Sequence, residues 1–92
     1  MIRILIADDK TENLQMLQSL LQLSGFSAIP VNDGAEALAE IRKLPPDLII
    51  TDLLMPNVDG FELCRICKQN KELQNIPIIV YTATFNDTRE EQ

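Results

Sequence analysis

The chain has 92 residues, of which 46% are hydrophobic and 24% are charged. This composition is typical of one small globular domain and excludes a disordered segment. Fourteen acidic residues against eight basic ones give a formal net charge of −6, which disfavours direct contact with nucleic acid or an anionic membrane. The absence of histidine excludes serine–histidine triads and histidine-based metal sites. No apolar run suits a signal peptide or a membrane span, so we expect a cytoplasmic protein.

The N-terminal third of the chain alternates short aliphatic runs with one helical pattern. Residues 3–7 (RILIA) predict a first strand that runs directly into an acidic pair. Thr11 is expected to cap a helix that extends to about Ser24 and stops at Gly25. The apolar face of this helix is predicted to contain Leu14, Leu17, Leu20 and Leu21.

The middle of the chain continues the same alternation. Residues 26–31 predict a second, weaker strand. Asp33 and Glu36 have the spacing of a capping box, with Asp in place of Ser or Thr, and they open a second helix that ends at a Pro-Pro pair. Residues 48–51 (LIIT) are apolar except at their end, which is typical of a strand buried on both faces.

The remaining segments complete an α/β pattern. Asp59 begins a second Asp-x-x-Glu cap and a third helix, and Gly60 is expected to adopt an unusual backbone angle. Residues 78–81 (IIVY) predict a fourth strand, and residues 87–92 resemble the beginning of another helix. Strands that alternate with helices predict one α/β domain over residues 1–92, with four parallel strands and helices on both faces of the sheet.

The polar side chains to consider are those that follow the first, third and fourth predicted strands. Asp8 and Asp9 follow the first strand, Asp52 follows the third, and Thr82 follows the fourth. In an open parallel sheet these strand ends meet at one edge, where ligands bind. Three carboxylates at one edge repel one another unless a cation lies among them. Mg²⁺ fits, because it takes a few carboxylate oxygens and keeps several waters, and the Thr hydroxyl could donate to an anionic group.

Four motifs in this order resemble the receiver domain of two-component response regulators, and the resemblance covers essentially the whole chain. They are ILIADD at residues 4–9, PDLIITDLLMP at 46–56, DGF at 59–61 and PIIVYTA at 77–83. The resemblance implies a flavodoxin-like, doubly wound parallel sheet. It also implies that the protein is the phosphoacceptor of a phosphorelay.

The resemblance also assigns roles to the acidic residues. It implies that Asp52 is the phosphoacceptor and one ligand of Mg²⁺. Asp9 would bind the ion directly, Asp8 would bind it largely through water, and the backbone carbonyl of Leu54 would be a further ligand. The chemistry agrees with these roles. A carboxylate can attack a phosphoryl donor while the metal ion offsets the charge on the transferring group, and this chain needs no histidine of its own for that step.

The phosphoryl group itself has two further expected contacts. By the same resemblance, Thr82 would hydrogen-bond it and report its presence, and the backbone of Ala83 would also contact it. The donor would be the histidine of a histidine kinase or a phosphotransfer protein. No enzymatic activity is implied beyond Mg²⁺-dependent self-phosphorylation and autodephosphorylation.

The predicted strands are fewer than the five of this fold. We therefore expect a truncated receiver that lacks the fifth strand, the last helix and the Lys that, in the family, pairs with the phosphoryl oxygens. The apolar strand 78–81 would then be an exposed sheet edge, and such edges tend to pair with another chain. We expect a homodimer through this edge, and a strictly monomeric sedimentation profile at high concentration would count against it.

Two alternative functions stay open at this point. One is a phosphohydrolase with Asp52 as nucleophile, although such sites place another Asp two residues later, where this chain has Leu54. The other is a signalling-incompetent truncated receiver that serves as a dimerisation or interaction module, or is a folding fragment. The motif Cys64-x-x-Cys67 lies inside the third predicted helix and not at its N-terminus, so packing explains it better than redox or zinc chemistry.

Overall fold

The computed structural model describes residues 1–82, in which four strands alternate with three helices. All strand pairs are parallel. The predicted doubly wound sheet is confirmed, whereas Ala83 and the predicted helix at 87–92 lie outside the described residues. In chain order the elements are β1 (Arg3–Ala7), α1 (Thr11–Leu23), β2 (Ser27–Val31), α2 (Gly34–Lys43), β3 (Leu48–Asp52), α3 (Gly60–Lys68) and β4 (Ile78–Tyr81). Their order in the sheet is β2-β1-β3-β4.

The strands separate two hydrophobic cores, because successive residues of a strand point to opposite faces of the sheet. Leu5 and Ile49 belong to a cluster with buried residues of α2 and α3. Ile4 and Ile6 belong to a second cluster with Leu14 of α1. Helices therefore cover both faces, as predicted. None of the helices in residues 1–82 is long and apolar enough to cross a membrane.

Acidic side chains cap α2 and α3 as the sequence predicts. Asp33 Oδ1 accepts a hydrogen bond of 2.8 Å from the backbone N–H of Glu36, and Glu36 Oε1 accepts one of 2.7 Å from the N–H of Asn32. The Asp59 carboxylate accepts a bond of 2.8 Å from the N–H of Glu62. Caps of this kind stabilise a helix by about 1 kcal/mol each. These two aspartates therefore have structural partners of their own at the helix ends.

The helix α1 differs from its prediction at both its cap and its buried face. Thr11 is the first helical residue and not the cap; the cap position is Lys10, which makes no side-chain capping bond. Leu20 is 55% exposed, whereas Leu14 is 6% exposed. At 3.6 residues per turn, Leu17 returns to the side of Leu14, but a residue six positions after Leu14 does not. The prediction was wrong for Thr11 and for Leu20.

The loop between β3 and α3 contains a positive backbone angle, but at Asn57 (φ 68°) and not at Gly60. Gly60 is needed for a different reason. A Cβ at this position would lie 2.3 Å from the backbone oxygen of Asp52, far inside van der Waals contact. The N–H of Gly60 also donates to the backbone oxygen of Leu53 at 2.9 Å. The missing side chain therefore lets the start of α3 pack directly on the end of β3.

We predict that Gly60→Ala lowers the free energy of unfolding by about 2 to 3 kcal/mol, because the new methyl group overpacks against backbone that cannot rotate away. The matched control is Phe61→Ala in the same helical turn, where the side chain is 76% exposed. Urea unfolding of the two variants measures the difference. Equal stability of the two variants would contradict the close approach of α3 to β3.

Candidate functional site

Three carboxylates converge at the carboxyl end of the sheet. Asp8 and Asp9 follow β1, and Asp52 is the last residue of β3, which is the parallel neighbour of β1. One carboxylate oxygen from each of the three lies within 4.8 Å of the others. The strand order reverses between β1 and β3, and doubly wound sheets bind their ligands in the crevice at this point. The structure therefore brings together the three aspartates that the sequence analysis singled out.

The Asp52 carboxylate is buried and incompletely satisfied. The residue is 0% exposed. Its Oδ1 accepts one long hydrogen bond of 3.4 Å from the N–H of Leu54. Its Oδ2 is buried and has no hydrogen-bond partner among residues 1–82. An unpartnered buried carboxylate oxygen is costly, and it marks the place where a cation would restore the lost interaction.

The chemistry of the cluster suits a hard cation. All three side chains offer carboxylate oxygens, and the described residues bring no cysteine into the cluster. Mg²⁺ prefers a small number of carboxylate oxygens and keeps its remaining positions for water and for phosphoryl oxygens. Asp9 is exposed, so solvent reaches one side of the cluster. The donor set and the unpartnered Asp52 Oδ2 together fit a magnesium site.

The Asp8 carboxylate is buried like that of Asp52, but both of its oxygens have donors. The N–H of Lys10 donates to Oδ1 at 2.8 Å, and the side-chain amide of Asn13 donates to Oδ2 at 3.1 Å. The hydroxyl of Tyr81 donates to the same Oδ2. None of these three donors is predicted from the sequence. The position of Tyr81 directly before Thr82, at the end of a strand, was the signal available for the most distant of them.

Tyr81 is also perturbed electrostatically. Burial raises the pKa of its phenol, and the hydrogen bond to Asp8 and the negative charges of Asp8, Asp52 and Asp9 raise it further. A raised pKa keeps the hydroxyl protonated at neutral pH and well above it. Tyr81 therefore stays a hydrogen-bond donor to Asp8 at neutral pH.

A lysine lies beside the exposed member of the cluster. The ammonium group of Lys10 is 3.7 Å from Asp9 Oδ1, and both side chains are well exposed. Exposed pairs of this kind stabilise a protein by less than about 1 kcal/mol. Lys10 is therefore a weak partner that would not prevent Asp9 from binding a metal ion.

The remaining predicted site residues lie around the cluster. Leu54 follows β3 by two residues, and its side chain is 54% exposed. Thr82 is exposed and directly follows Tyr81, which lies opposite Asp52 in the register of β3 and β4. The structure thus places Leu54 and Thr82 in the loops that adjoin Asp52, while Ala83 is outside the described residues.

The cysteine pair lies away from this site. Cys67 is fully buried in the core formed with α2 and α3, and Cys64 is half-buried one turn earlier. Burial is the main reason that the pKa of the Cys67 thiol is raised, with a smaller contribution from Cys64. A thiol that ionises reluctantly is a poor nucleophile and a poor metal ligand. The structure supports packing as the role of Cys67.

Comparison with known proteins identifies the same family over nearly the whole chain. A family model described as the response regulator receiver domain matches residues 4–92. The DNA-binding response regulator MtrA of Mycolicibacterium paratuberculosis is 36% identical over 81 residues, which are 88% of this chain and 35% of MtrA. The polar-differentiation response regulator DivK of Brucella ovis is 36% identical over 80 residues, which are 87% of this chain and 65% of DivK. The chain thus spans about a third of MtrA and slightly under two thirds of DivK.

Solved structures agree with the sequence relatives. The chemotaxis response regulator CheY4 of Vibrio cholerae superposes with a TM-score of 0.84 at 34% identity, covering 87% of this chain and 67% of CheY4. The signal receiver domain of a signal transduction histidine kinase from Syntrophus aciditrophicus superposes with a TM-score of 0.87 at 37% identity. That match covers 97% of this chain and 67% of the receiver.

We predict that Asp52→Asn stabilises the protein by at least about 1 kcal/mol when no divalent cation is present, since it removes one of several close like charges. Thermal or urea unfolding in a chelating buffer measures this. The matched control is Glu72→Gln, which removes the same charge from an exposed turn before β4 and should change stability by less than about 0.5 kcal/mol. Equal stability of Asp52→Asn and wild type would contradict repulsion within the cluster.

Proposed function

The chain belongs to the response regulator receiver domain family of two-component signalling, and we propose that Asp52 is its phosphoacceptor. The observation that carries the proposal is the buried, unpartnered Oδ2 of Asp52 within a cluster of three carboxylates. A buried carboxylate oxygen that accepts no hydrogen bond is available to bind a cation and to attack an electrophile.

The proposed reaction is a phosphoryl transfer from a phosphohistidine. One carboxylate oxygen of Asp52 attacks the phosphorus, so that a P–O bond forms while the P–N bond to the donor breaks. The electron pair of that bond stays on the imidazole of the donor, which then takes up a proton. The product is an acyl phosphate on Asp52. Because these 92 residues contain no histidine, the phosphohistidine lies outside them, and a histidine kinase or a phosphotransfer protein has the required chemistry.

Mg²⁺ is the cofactor that we propose for this step. Asp9 and Asp52 would bind it through their carboxylates, Asp8 largely through water, and Leu54 through its backbone carbonyl. When bound, the ion offsets the negative charge that gathers on the transferring phosphoryl group. The protein contributes position: Asp8 is fixed by its three donors, and Asp52 is fixed by β3 and by the closely packed start of α3.

Thr82 and Ala83 complete the proposed site. Thr82 directly follows Tyr81, which pairs with Asp52 across β3 and β4, so Thr82 comes next to the strand end that carries the phosphoacceptor. We propose that this hydroxyl donates to a phosphoryl oxygen and that the backbone of Ala83 makes a second contact. Because this hydrogen bond would exist only in the phosphorylated form, it would make β4 respond to phosphorylation of Asp52.

The net charge bears on whether nucleic acid is a partner. The net charge of −6 disfavours direct nucleic-acid binding by these 92 residues, although MtrA is named as a DNA-binding protein. A cytoplasmic location belongs to the proposal as well.

Homodimerisation through β4 stays a prediction. Within residues 1–82 this strand pairs only with β3, and Ile79 and Val80 are 52% and 40% exposed.

The proposal is tested by incubating the chain with Mg²⁺ and a small acyl phosphate, followed by intact mass measurement. We predict one added phosphoryl group on the wild type, lost at alkaline pH, and none on Asp52→Asn. Asp59→Asn is the matched control, because Asn caps a helix as well as Asp does and the cluster is unchanged. Absence of phosphate from a wild-type chain that binds Mg²⁺ would contradict the proposal. Continuous release of phosphate from unrelated phosphate esters would instead favour a phosphohydrolase.

A second prediction concerns Thr82. A hydrogen bond to a charged group contributes about 1.5 to 3 kcal/mol, so Thr82→Ala should lower the phosphorylated fraction at a fixed, limiting donor concentration by about tenfold. Thr82→Ser keeps the hydroxyl and should retain most of that fraction. The two variants are compared by intact mass under the same conditions. Equal phosphorylation of Thr82→Ala and wild type would contradict a phosphoryl contact by this residue.

A further inference from the structure

The hydroxyl of Tyr81 contacts a residue that is far away in the sequence. Tyr81 is the last residue of β4, and Asp8 follows β1, with the whole of β3 between these two strands. The two residues are 73 positions apart in the chain, yet the phenol donates directly to Asp8 Oδ2. The side chain therefore reaches across β3, over the end that carries Asp52. This hydrogen bond connects the end of β4 to the loop that follows β1.

The donors in the site are distributed unevenly between the two buried carboxylates. Asp8 has three donors, with Asn13 and Tyr81 both on Oδ2 and the N–H of Lys10 on Oδ1. Asp52 has one long bond on Oδ1 and no partner on Oδ2 within residues 1–82. The consequence is that Asp8 is held in one orientation, while Asp52 keeps an oxygen available for binding and reaction.

We propose that Tyr81 is a positioning residue for the metal centre: it orients the Asp8 carboxylate from β4 and thereby sets the Mg²⁺ affinity of the site. The proposal rests on the function proposed above and extends it to a residue that touches neither the ion nor the phosphoryl group. Partners that orient a metal-binding carboxylate typically change metal affinity by 10- to 100-fold when they are removed.

The surroundings of the Tyr81 ring explain why the hydroxyl matters. The ring borders an open apolar cavity of about 280 Å³ between α1 and the sheet, which Met16, Leu17 and Ile50 also line. Among residues 1–82, packing against that side of the ring is therefore incomplete. The hydrogen bond to Asp8 fixes the end of the side chain, so a change at Asp8 changes the environment of the phenol.

This geometry also supplies a direct optical signal. Tyr81 is the single tyrosine of the chain, and the chain contains no tryptophan. A phenol that donates to a carboxylate emits weakly, because the carboxylate accepts its proton in the excited state. Mg²⁺ at the site would withdraw electron density from Asp8, weaken this quenching and raise the emission. The tyrosine fluorescence of the protein would thus show whether Mg²⁺ is bound beside Asp8.

The first test measures Mg²⁺ binding by calorimetry for the wild type and for Tyr81→Phe, which keeps the ring and removes only the hydroxyl. We expect binding about tenfold weaker in the variant. Met16→Ala is the matched control, since it enlarges the same cavity without changing a donor to Asp8, and it should bind Mg²⁺ like the wild type. Equal affinity for wild type and Tyr81→Phe, both folded by circular dichroism, would overturn the proposal.

The second test follows tyrosine emission during the same titration. We expect emission of the wild type to rise with the midpoint found by calorimetry, and emission of Asp8→Asn to start high and to stay constant. Constant wild-type emission while Mg²⁺ binds would also overturn the proposal. Failure to phosphorylate Asp52 would leave both results unaffected and would count against the proposed function alone, whereas absence of any Mg²⁺ binding by the wild type would overturn both.

Discussion

Two carboxylates, those of Asp8 and Asp52, lie buried within a few ångströms of each other at the carboxyl end of a parallel sheet, and their repulsion is the constraint on which the site depends. The constraint comes from the topology. Two parallel neighbours end at the same edge, so the acidic residues at their ends are brought close together. Stability alone would favour neutral side chains here, because each buried charge costs several kcal/mol unless it is paired. A cation is the partner that removes this cost for all three aspartates together.

The surrounding structure holds these charges in place without neutralising them. Gly60 lets the backbone of α3 meet that of β3 directly, which fixes the strand end that carries Asp52. Three donors orient Asp8, two from the start of α1 and one from the end of β4. The aspartates that cap α2 and α3 are engaged with backbone N–H groups instead, and Asp33 also accepts a bond of 3.0 Å from Asn57 in the loop after β3. Asp33 and Asp59 thus serve as helix caps, whereas Asp8, Asp9 and Asp52 form one cluster.

Features that depend on local spacing could be predicted from the sequence. The strand runs and the two Asp-x-x-Glu caps follow from nearest neighbours along the chain, and the convergence of Asp8, Asp9 and Asp52 follows from one rule about parallel sheets. Features that depend on contact between distant segments could not. The reach of Tyr81 over β3 requires the strand order and the direction of a side chain, neither of which the motif IIVYT contains.

Some local predictions also failed, for identifiable reasons. Gly60 was interpreted by the usual preference of glycine for positive φ, whereas the structure needs its missing Cβ, and Asn57 adopts the positive angle. Thr11 has the chemistry of a cap, but α1 begins one residue too early for it to serve as one. Leu20 was included in an apolar face because it is a leucine, although its angular position on the helix points it towards solvent.

We propose that the three carboxylates at the ends of β1 and β3 form one magnesium site. The most direct measurement is the thermal unfolding midpoint of the chain as Mg²⁺ is titrated at constant ionic strength. A ligand that binds only the folded state raises that midpoint in proportion to the logarithm of its concentration above Kd. We expect this rise for the wild type and its loss in Asp9→Asn. A wild-type midpoint that does not change over the whole titration would contradict the claim.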